Sequence, residues 1–303
     1  MIEGHGLVKR FGGRTALDSV DLGAAAGEIV GLLGDNGAGK TTTFRLLAGI
    51  YPPDSGRVTI DGRALTRRST ALRANLGLVP QAIALYPTFT AQENLRIFGR
   101  MCGVPRRRLR DRVDELLGAV GLADRADDPV HQLSGGMARR LNLAVGLVHR
   151  PTVLLLDEPV VGVDPQSRRT IFSLIAGAAA DGAAVVYTSH QLDEAERLCD
   201  RFVVLDQGKV IASGALNQLR DAAPPSSVLR VRCRDELAVR TVLADLPWVL
   251  AVVAGEDATL HVEVDDASRR IGELATALGA SIDLVEVPRE SLEHLFLDLT
   301  GAK

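Results

Sequence analysis

Residues 28–41 read EIVGLLGDNGAGKT. The opening EIVGLLG (28–34) is short, apolar and bounded by glycine, the pattern of a strand buried on both faces. KTTTFRLLAGI (40–50) has the composition of a helix. Between them GDNGAGKT (34–41) fits G-x-x-x-x-G-K-[ST] in full, after a strand and opening a helix, which is the context that motif requires. In such a loop, here Gly34, Asp35, Asn36, Gly37, Ala38 and Gly39, glycines let backbone N–H groups curl around phosphate oxygens. The helix N-terminus adds partial positive charge. Lys40 is then placed to hold the β- and γ-phosphates, Thr41 to reach Mg²⁺ and Thr42 to donate to the α-phosphate.

Working outward, VLLLDEP (153–159) is a second buried strand, stopped by Pro159. It delivers the Asp157 carboxylate to a Mg²⁺ shell. Strand alternation would turn Glu158 away from Asp157, but a strand terminus can aim both into one site, where a carboxylate orients or deprotonates the attacking water. AAVVYTSH (183–190) is a third strand, ending in His190, which is expected beside Asp157 and within reach of the γ-phosphate. RFVVLDQGKVIASG (201–214) reads as a hairpin. Between Gln81 and Arg150 the apolar spacing becomes helical, as in AQENLRIFGRMCG and LRDRVDELLGAVGL, which predicts a helical insertion in an α/β core.

DAAPPSS (221–227) interrupts the pattern with two prolines and reads as a linker. Beyond it the order is β-α-β-β-α-β, the ferredoxin-like arrangement, then a last helix, SLEHLFLDLTG, with Leu292, Leu295, Phe296 and Leu299 on one face. The expected division is a nucleotide domain over 1–220, with a helical subdomain at about 82–150, the linker at 221–227, and an α+β accessory domain over 228–303.

Composition excludes other classes. A net charge of -3 gives no electrostatic footprint for nucleic acid. Cys102, Cys199 and Cys233 are scattered, which argues against disulfides or a structural zinc site. No signal peptide is expected from MIEGHGLVKRFGG, and no apolar run approaches the ~18 residues that would span a membrane. Work at a membrane would need another chain to span it. The basic run RRRLRDR (106–112) has Asp111, Asp114 and Glu115 interleaved, as on a solvated helix face. His5, His131, His149, His261 and His294 have no placement that suggests a role.

LSGGM (133–137) is a second Gly-rich helix entry, far from the phosphate loop. With ARRLNLAVGLVHRPTVLLLDEP after it, it resembles the signature sequence and second nucleotide motif of ABC-type ATPases. The remaining motifs of that family follow in order over about the first 220 residues. Phe11 lies where an aromatic stacks on adenine, Gln81 matches the Q-loop, Asp164 the D-loop and His190 the switch histidine. The resemblance implies a P-loop core with an antiparallel β subdomain and a helical subdomain, binding ATP with Mg²⁺ held by Thr41, Gln81 and Asp157. It implies catalysis by Glu158, His190, Lys40 and Gln81. It also implies two subunits pairing head to tail, identical or not, with Ser134 and the Gly135 and Gly136 amides meeting the partner's ATP. A lone monomer should then hydrolyse poorly.

Met137 stands where glutamine is commoner, and Phe11 where tyrosine is. The tail PRESLEHLFLDLTG resembles that of ATPases serving bacterial drug and antibiotic exporters, the daunorubicin-resistance type. That branch implies a subunit on the cytoplasmic face of the membrane, powering export of a drug, antibiotic or lipid-like substrate through a separate integral-membrane permease. The alternative is a soluble ABC ATPase acting on ribosomes or DNA. Relatives of that kind usually carry two cassettes or a long coiled coil, and the short span from Lys40 to Ser134 leaves no room for the latter. A GTPase switch would need an N-K-x-D motif, which is absent.

Overall fold

Ile29–Leu33 are all buried and form an interior strand of a six-stranded sheet, so the apolar run before the phosphate loop is covered on both faces. The computed structural model describes residues 1–189, 192–222, 228–255 and 259–286. They fall into two units, Met1–Asn217 and Gln218–Lys303.

In chain order the first unit begins with β1 (Ile2–Phe11), β2 (Arg14–Ala24), β3 (Ile29–Leu33), α1 (Lys40–Leu47), β4 (Ser55–Ile60), β5 (Arg63–Ala64), α2 (Thr70–Arg73) and β6 (Leu76–Val79). Three helices follow, α3 (Ala91–Met101), α4 (Arg106–Ala119) and α5 (Gly135–Leu147). The chain then returns to the sheet through β7 (Val153–Asp157), α6 (Pro165–Ala180), β8 (Ala184–Ser189), α7 (Leu192–Leu198), β9 (Arg201–Asp206) and β10 (Lys209–Gly214).

The central sheet has the order β10-β9-β3-β8-β7-β6. Only the β9–β10 hairpin is antiparallel; the other pairings are parallel. Leu33 pairs with Ser189 and Asp157 with Thr188, so the carboxyl ends of β3, β7 and β8 share one edge. Ligands of open α/β sheets bind outside that edge.

A second sheet, β2-β1-β4-β5, is antiparallel. Its residues Ile2, Leu7, Leu17 and Val58 share one core with Phe44 and Leu47 of α1 and Leu155 and Val186 of the central sheet. Backbone bonds from the Asp18 N–H to the Gly208 carbonyl (2.8 Å) and from the Gly208 N–H to the Ala38 carbonyl (2.9 Å) tie β2 to the phosphate loop through the hairpin turn. The sequence pattern did not separate these strands, because their one-sided burial is interrupted by bulges in the β1 register.

The helical insertion is held by local polar chemistry. Thr90 and Glu93 form a reciprocal capping box at the start of α3. The buried Asn94 amide accepts from the Tyr86 N–H (2.8 Å) and donates to the carbonyls of Tyr86, Phe89 and Thr90. Asn142 of α5 accepts from the Ala84 N–H at 3.1 Å. The segment that follows Gln81 is thereby pinned to the helices at several points.

α8 (Leu216–Ala222) contains the boundary between the units. Asp221 and Ala222, expected in the linker, are its last residues; 223–227 lie outside the described residues. The second unit holds β11 (Val228–Cys233), α9 (Glu236–Ala244), β12 (Val249–Ala254), β13 (Thr259–Val264), α10 (Ala267–Leu278) and β14 (Ile282–Glu286). Its antiparallel sheet runs β12-β13-β11-β14, the ferredoxin-like order that the β-α-β-β-α-β pattern predicts. Leu229, Val231, Leu260 and Val262 pack against Val239, Leu243 and Leu274 of the two helices, each capped by an aspartate, Asp235 or Asp266. The last helix read from the sequence, SLEHLFLDLTG (291–301), lies outside the described residues. No described helix is long and apolar enough to cross a membrane.

Candidate functional site

A cavity of about 600 Å³ opens at the carboxyl edge of the central sheet. That volume suits a nucleotide-sized ligand. Of the residues singled out from sequence, Phe11, Asp35, Asn36, Gly37, Gly39, Lys40, Thr41, Thr42, Gln81 and Glu158 line it. Gly34 and Ala38 complete the loop behind this lining. A cavity of similar size, about 630 Å³, lies between α3, α4 and the end of α5, but its lining includes no part of the phosphate loop.

Gly39 is the N-cap of α1 with φ 114°, a backbone geometry that side chains disfavour, and a Cβ there would lie 2.6 Å from Leu17 Cδ2. No side chain caps α1, so its first-turn N–H groups are left for an anion. Lys40 is buried, and its ammonium donates to the carbonyls of Gly34 (2.6 Å) and Asp35 (3.0 Å). Burial lowers the Lys40 pKa, opposed by the nearby Glu158, Asp35 and Asp157 carboxylates. A phosphate would add negative charge beside this ammonium and further offset its burial.

Asp157 is the last residue of β7 and is buried. Burial pushes its carboxyl pKa up, against the hydrogen bond from the Thr188 hydroxyl to Asp157 Oδ1 (2.7 Å) and the attraction of Arg45 and Lys40. At Glu158 the chain leaves the strand with φ 48°, sparsely populated for a side-chain-bearing residue. The Glu158 N–H donates to Thr188, to the carbonyl at 3.2 Å and the hydroxyl at 3.1 Å. This left-handed turn brings Glu158 into the cavity lining despite strand alternation, whereas Asp157 is not among the lining residues. Gln81 reaches it from the other wall, its Nε2 donating to Glu158 Oε2 at 2.8 Å.

Phe11 sits on the rim, 45% exposed, edge-on to Tyr51 with ring centroids 5.7 Å apart. An exposed aromatic over a nucleotide-sized cavity offers a stacking face. Ser134, Gly135, Gly136 and Asp164 do not line this cavity. Ser134 caps α5, accepting from the Met137 N–H at 3.3 Å. Asp164 caps α6, and hydrogen bonds from the Ser167 side chain and the Ser167 N–H (2.9 Å) hold its carboxyl below the usual range. A Cβ on Gly136 would stand 2.8 Å from Asp164 Oδ2 and from the Ser167 hydroxyl, so a side chain there would have to displace those two groups. Gly135 meets no such neighbour. His190 lies outside the described residues.

Three polar residues at the site were not read from the sequence, nor were Ala16 and Val161 of the lining. Arg14 lines the cavity across the hairpin from Phe11, with which it pairs in the β1–β2 register. Thr188 anchors both acidic residues, and Arg139 donates to the Gln81 carbonyl. Thr188 carried a local signal, two residues before His190; Arg139 carried none, because its partner is distant in sequence.

The family described as ABC transporter matches residues 17–161. The linearmycin resistance ATP-binding protein LnrL of Bacillus subtilis (strain 168) is 37% identical, covering 99% of this chain and 98% of that protein. The chain belongs to the ABC transporter ATP-binding proteins. The Nod factor export ATP-binding protein I of Paraburkholderia xenovorans (strain LB400) is 41% identical over 99% of this chain and 97% of its own length. The daunorubicin/doxorubicin resistance ATP-binding protein DrrA of Streptomyces peucetius is 36% identical, with 99% and 92% covered. Among solved structures, the ATP-binding subunit of an ABC transporter matches with TM-score 0.69 and 29% identity, over 73% of this chain and 92% of that one. A dimeric ATP-binding cassette in a post-hydrolysis state, bound to ADP and Pi, matches with TM-score 0.64 and 28% identity, over 71% and 99%. This ABC protein is therefore an ATP-binding ATPase with a P-loop α/β core.

Proposed function

We propose that this ATPase powers export of a drug, antibiotic or lipid-like substrate through a separate integral-membrane permease, from the cytoplasmic face of the membrane. The observation that carries the catalytic part is Glu158, turned out of β7 at φ 48° and hydrogen-bonded to Gln81 across the cavity that Lys40 and the phosphate loop floor. The transport part is supported by relatives named for resistance or export that align over 98%, 97% and 92% of their lengths.

Lys40 and the N-terminus of α1 hold the phosphate chain, with Thr42 toward the α-phosphate. Phe11 receives the adenine face. Glu158 accepts a proton from the attacking water, and Gln81 orients that carboxylate. His190 is assigned to the γ-phosphate. The Thr41 hydroxyl, the Asp157 carboxylate and the Gln81 amide are hard oxygen donors of the kind Mg²⁺ prefers. Burial of Asp157 beside Glu158 leaves negative charge that a divalent cation would offset. The ion's contribution, when bound, is to neutralise charge on the phosphates.

Pairing of two such chains, or of this chain with a second ATPase subunit, is supported by the placement of Ser134 and Gly135. Both are exposed and outside the lining of their own chain's cavity, and none of the described residues requires Gly135 to lack a side chain. We assign Ser134, Gly135 and Gly136 to the partner's ATP, with Asp164 beside them. No nucleic acid enters this reading.

The test is E158Q. It should keep ATP affinity while turnover falls at least ~100-fold, and a dimer should accumulate with ATP. Isolated with ATP from detergent-solubilised membranes, it should bring a stoichiometric polytopic protein. Ribosomal proteins in its place would overturn the export reading.

A further inference from the structure

Helix α5 grips the segment after β6 at two points one turn apart. The Arg139 guanidinium donates to the Gln81 carbonyl, and the Asn142 side chain accepts from the Ala84 N–H at 3.1 Å. Residues three apart share a helix face, so both grips lie on the side of α5 facing that segment. Gln81 in turn contacts Glu158 through its amide at 2.8 Å. Arg139 also feels Glu158 directly: burial lowers the guanidinium pKa, and attraction to the Glu158 carboxylate opposes this. The same helix begins at the Ser134 cap, five residues before Arg139, about 7.5 Å at 1.5 Å per residue.

We infer that Arg139 is a positioning residue that couples the two half-sites of the chain. It ties the residue contacting Glu158 to the helix that presents Ser134 and Gly135 to the partner. A hydrogen-bonded helix transmits a displacement over little more than one turn almost undiminished. Any movement of Gln81 when nucleotide enters therefore moves the signature loop, and closure of that loop on the partner sets Gln81 against Glu158. Asn142 supplies the second contact that keeps the segment from rotating about the first.

This rests on the catalytic reading of Glu158, and the experiment separates the two. ATP hydrolysis and binding of a fluorescent ATP analogue are measured on the full-length chain as R139A, R139K and E158Q. R139A is expected to lose about 10- to 100-fold in kcat, the loss of one charge-assisted contact, with KM and analogue affinity within about 2-fold. Its dependence on ATP concentration should become less cooperative than the parent's. R139K keeps a donor and a positive charge and should recover most of the lost kcat. Unchanged kcat in R139A, a rise in KM alone, or an R139K variant as slow as R139A with unaltered analogue affinity would overturn the coupling role. If E158Q keeps parental turnover, the catalytic assignment falls instead, whatever the Arg139 variants do.

Discussion

D157N should make the nucleotide-free protein more stable while abolishing its activity. Asp157 is 6% exposed and sits at the end of β7, where burial raises its carboxyl pKa. A raised carboxyl pKa means that the folded state disfavours the ionised form. The native Asp157 therefore subtracts stability at neutral pH, and the loss disappears as pH falls toward the ordinary value near 3.8. Asparagine removes the charge and keeps an oxygen to accept the Thr188 hydroxyl bond of 2.7 Å. Attraction to Arg45 and Lys40 is lost at the same time, and repulsion from Glu158 is relieved. The balance is on the order of 1 kcal/mol in favour of the variant, or a Tm gain of about 2–4 °C. Thermal unfolding in chelator without nucleotide, at pH 7 and near pH 4.5, measures it. The gain should be present at pH 7 and shrink in acid, while Mg²⁺-dependent ATP hydrolysis falls at least ~100-fold. A variant that is less stable at pH 7, or whose Tm difference does not change with pH, would refute the claim that the Asp157 charge is held at a cost.

K40A removes the buried ammonium from the loop carbonyls of Gly34 and Asp35, and ATP affinity should fall more than ~10-fold by equilibrium binding. Unchanged affinity would mean that the phosphates bind elsewhere. F11A should weaken ATP by roughly 10-fold, the loss of about one stacked base, and weaken inorganic triphosphate not at all. Equal weakening of both by titration calorimetry would place Phe11 in folding rather than in base stacking.

The strand–loop–helix geometry of the phosphate loop was legible because its residues are contiguous. GDNGAGKT must leave a buried strand and enter a helix, and its glycines and lysine follow from that local geometry. The strand carrying Asp157 and Glu158, the helical insertion and the β-α-β-β-α-β order of the second unit were likewise set by short-range periodicity. The N-terminal antiparallel sheet was not, since its strands are bulged and half-covered, their buried residues sharing a core with α1.

How Glu158 faces the cavity was decided by tertiary structure. Alternation along β7 would turn it away, and the φ of 48° is imposed by two bonds to Thr188 on the neighbouring strand. Arg14, Thr188 and Arg139 belong to the site only because folding brings distant segments together: a hairpin folds over the loop, a parallel strand lies beside β7, and α5 returns to Gln81. Local spacing determined the shape of the Gly-rich loop, because that shape needs only backbone turns and a helix end. Which residues line the cavity around the loop depended on long-range packing, because a side chain's partner across a sheet or between helices leaves no periodic trace in its own segment.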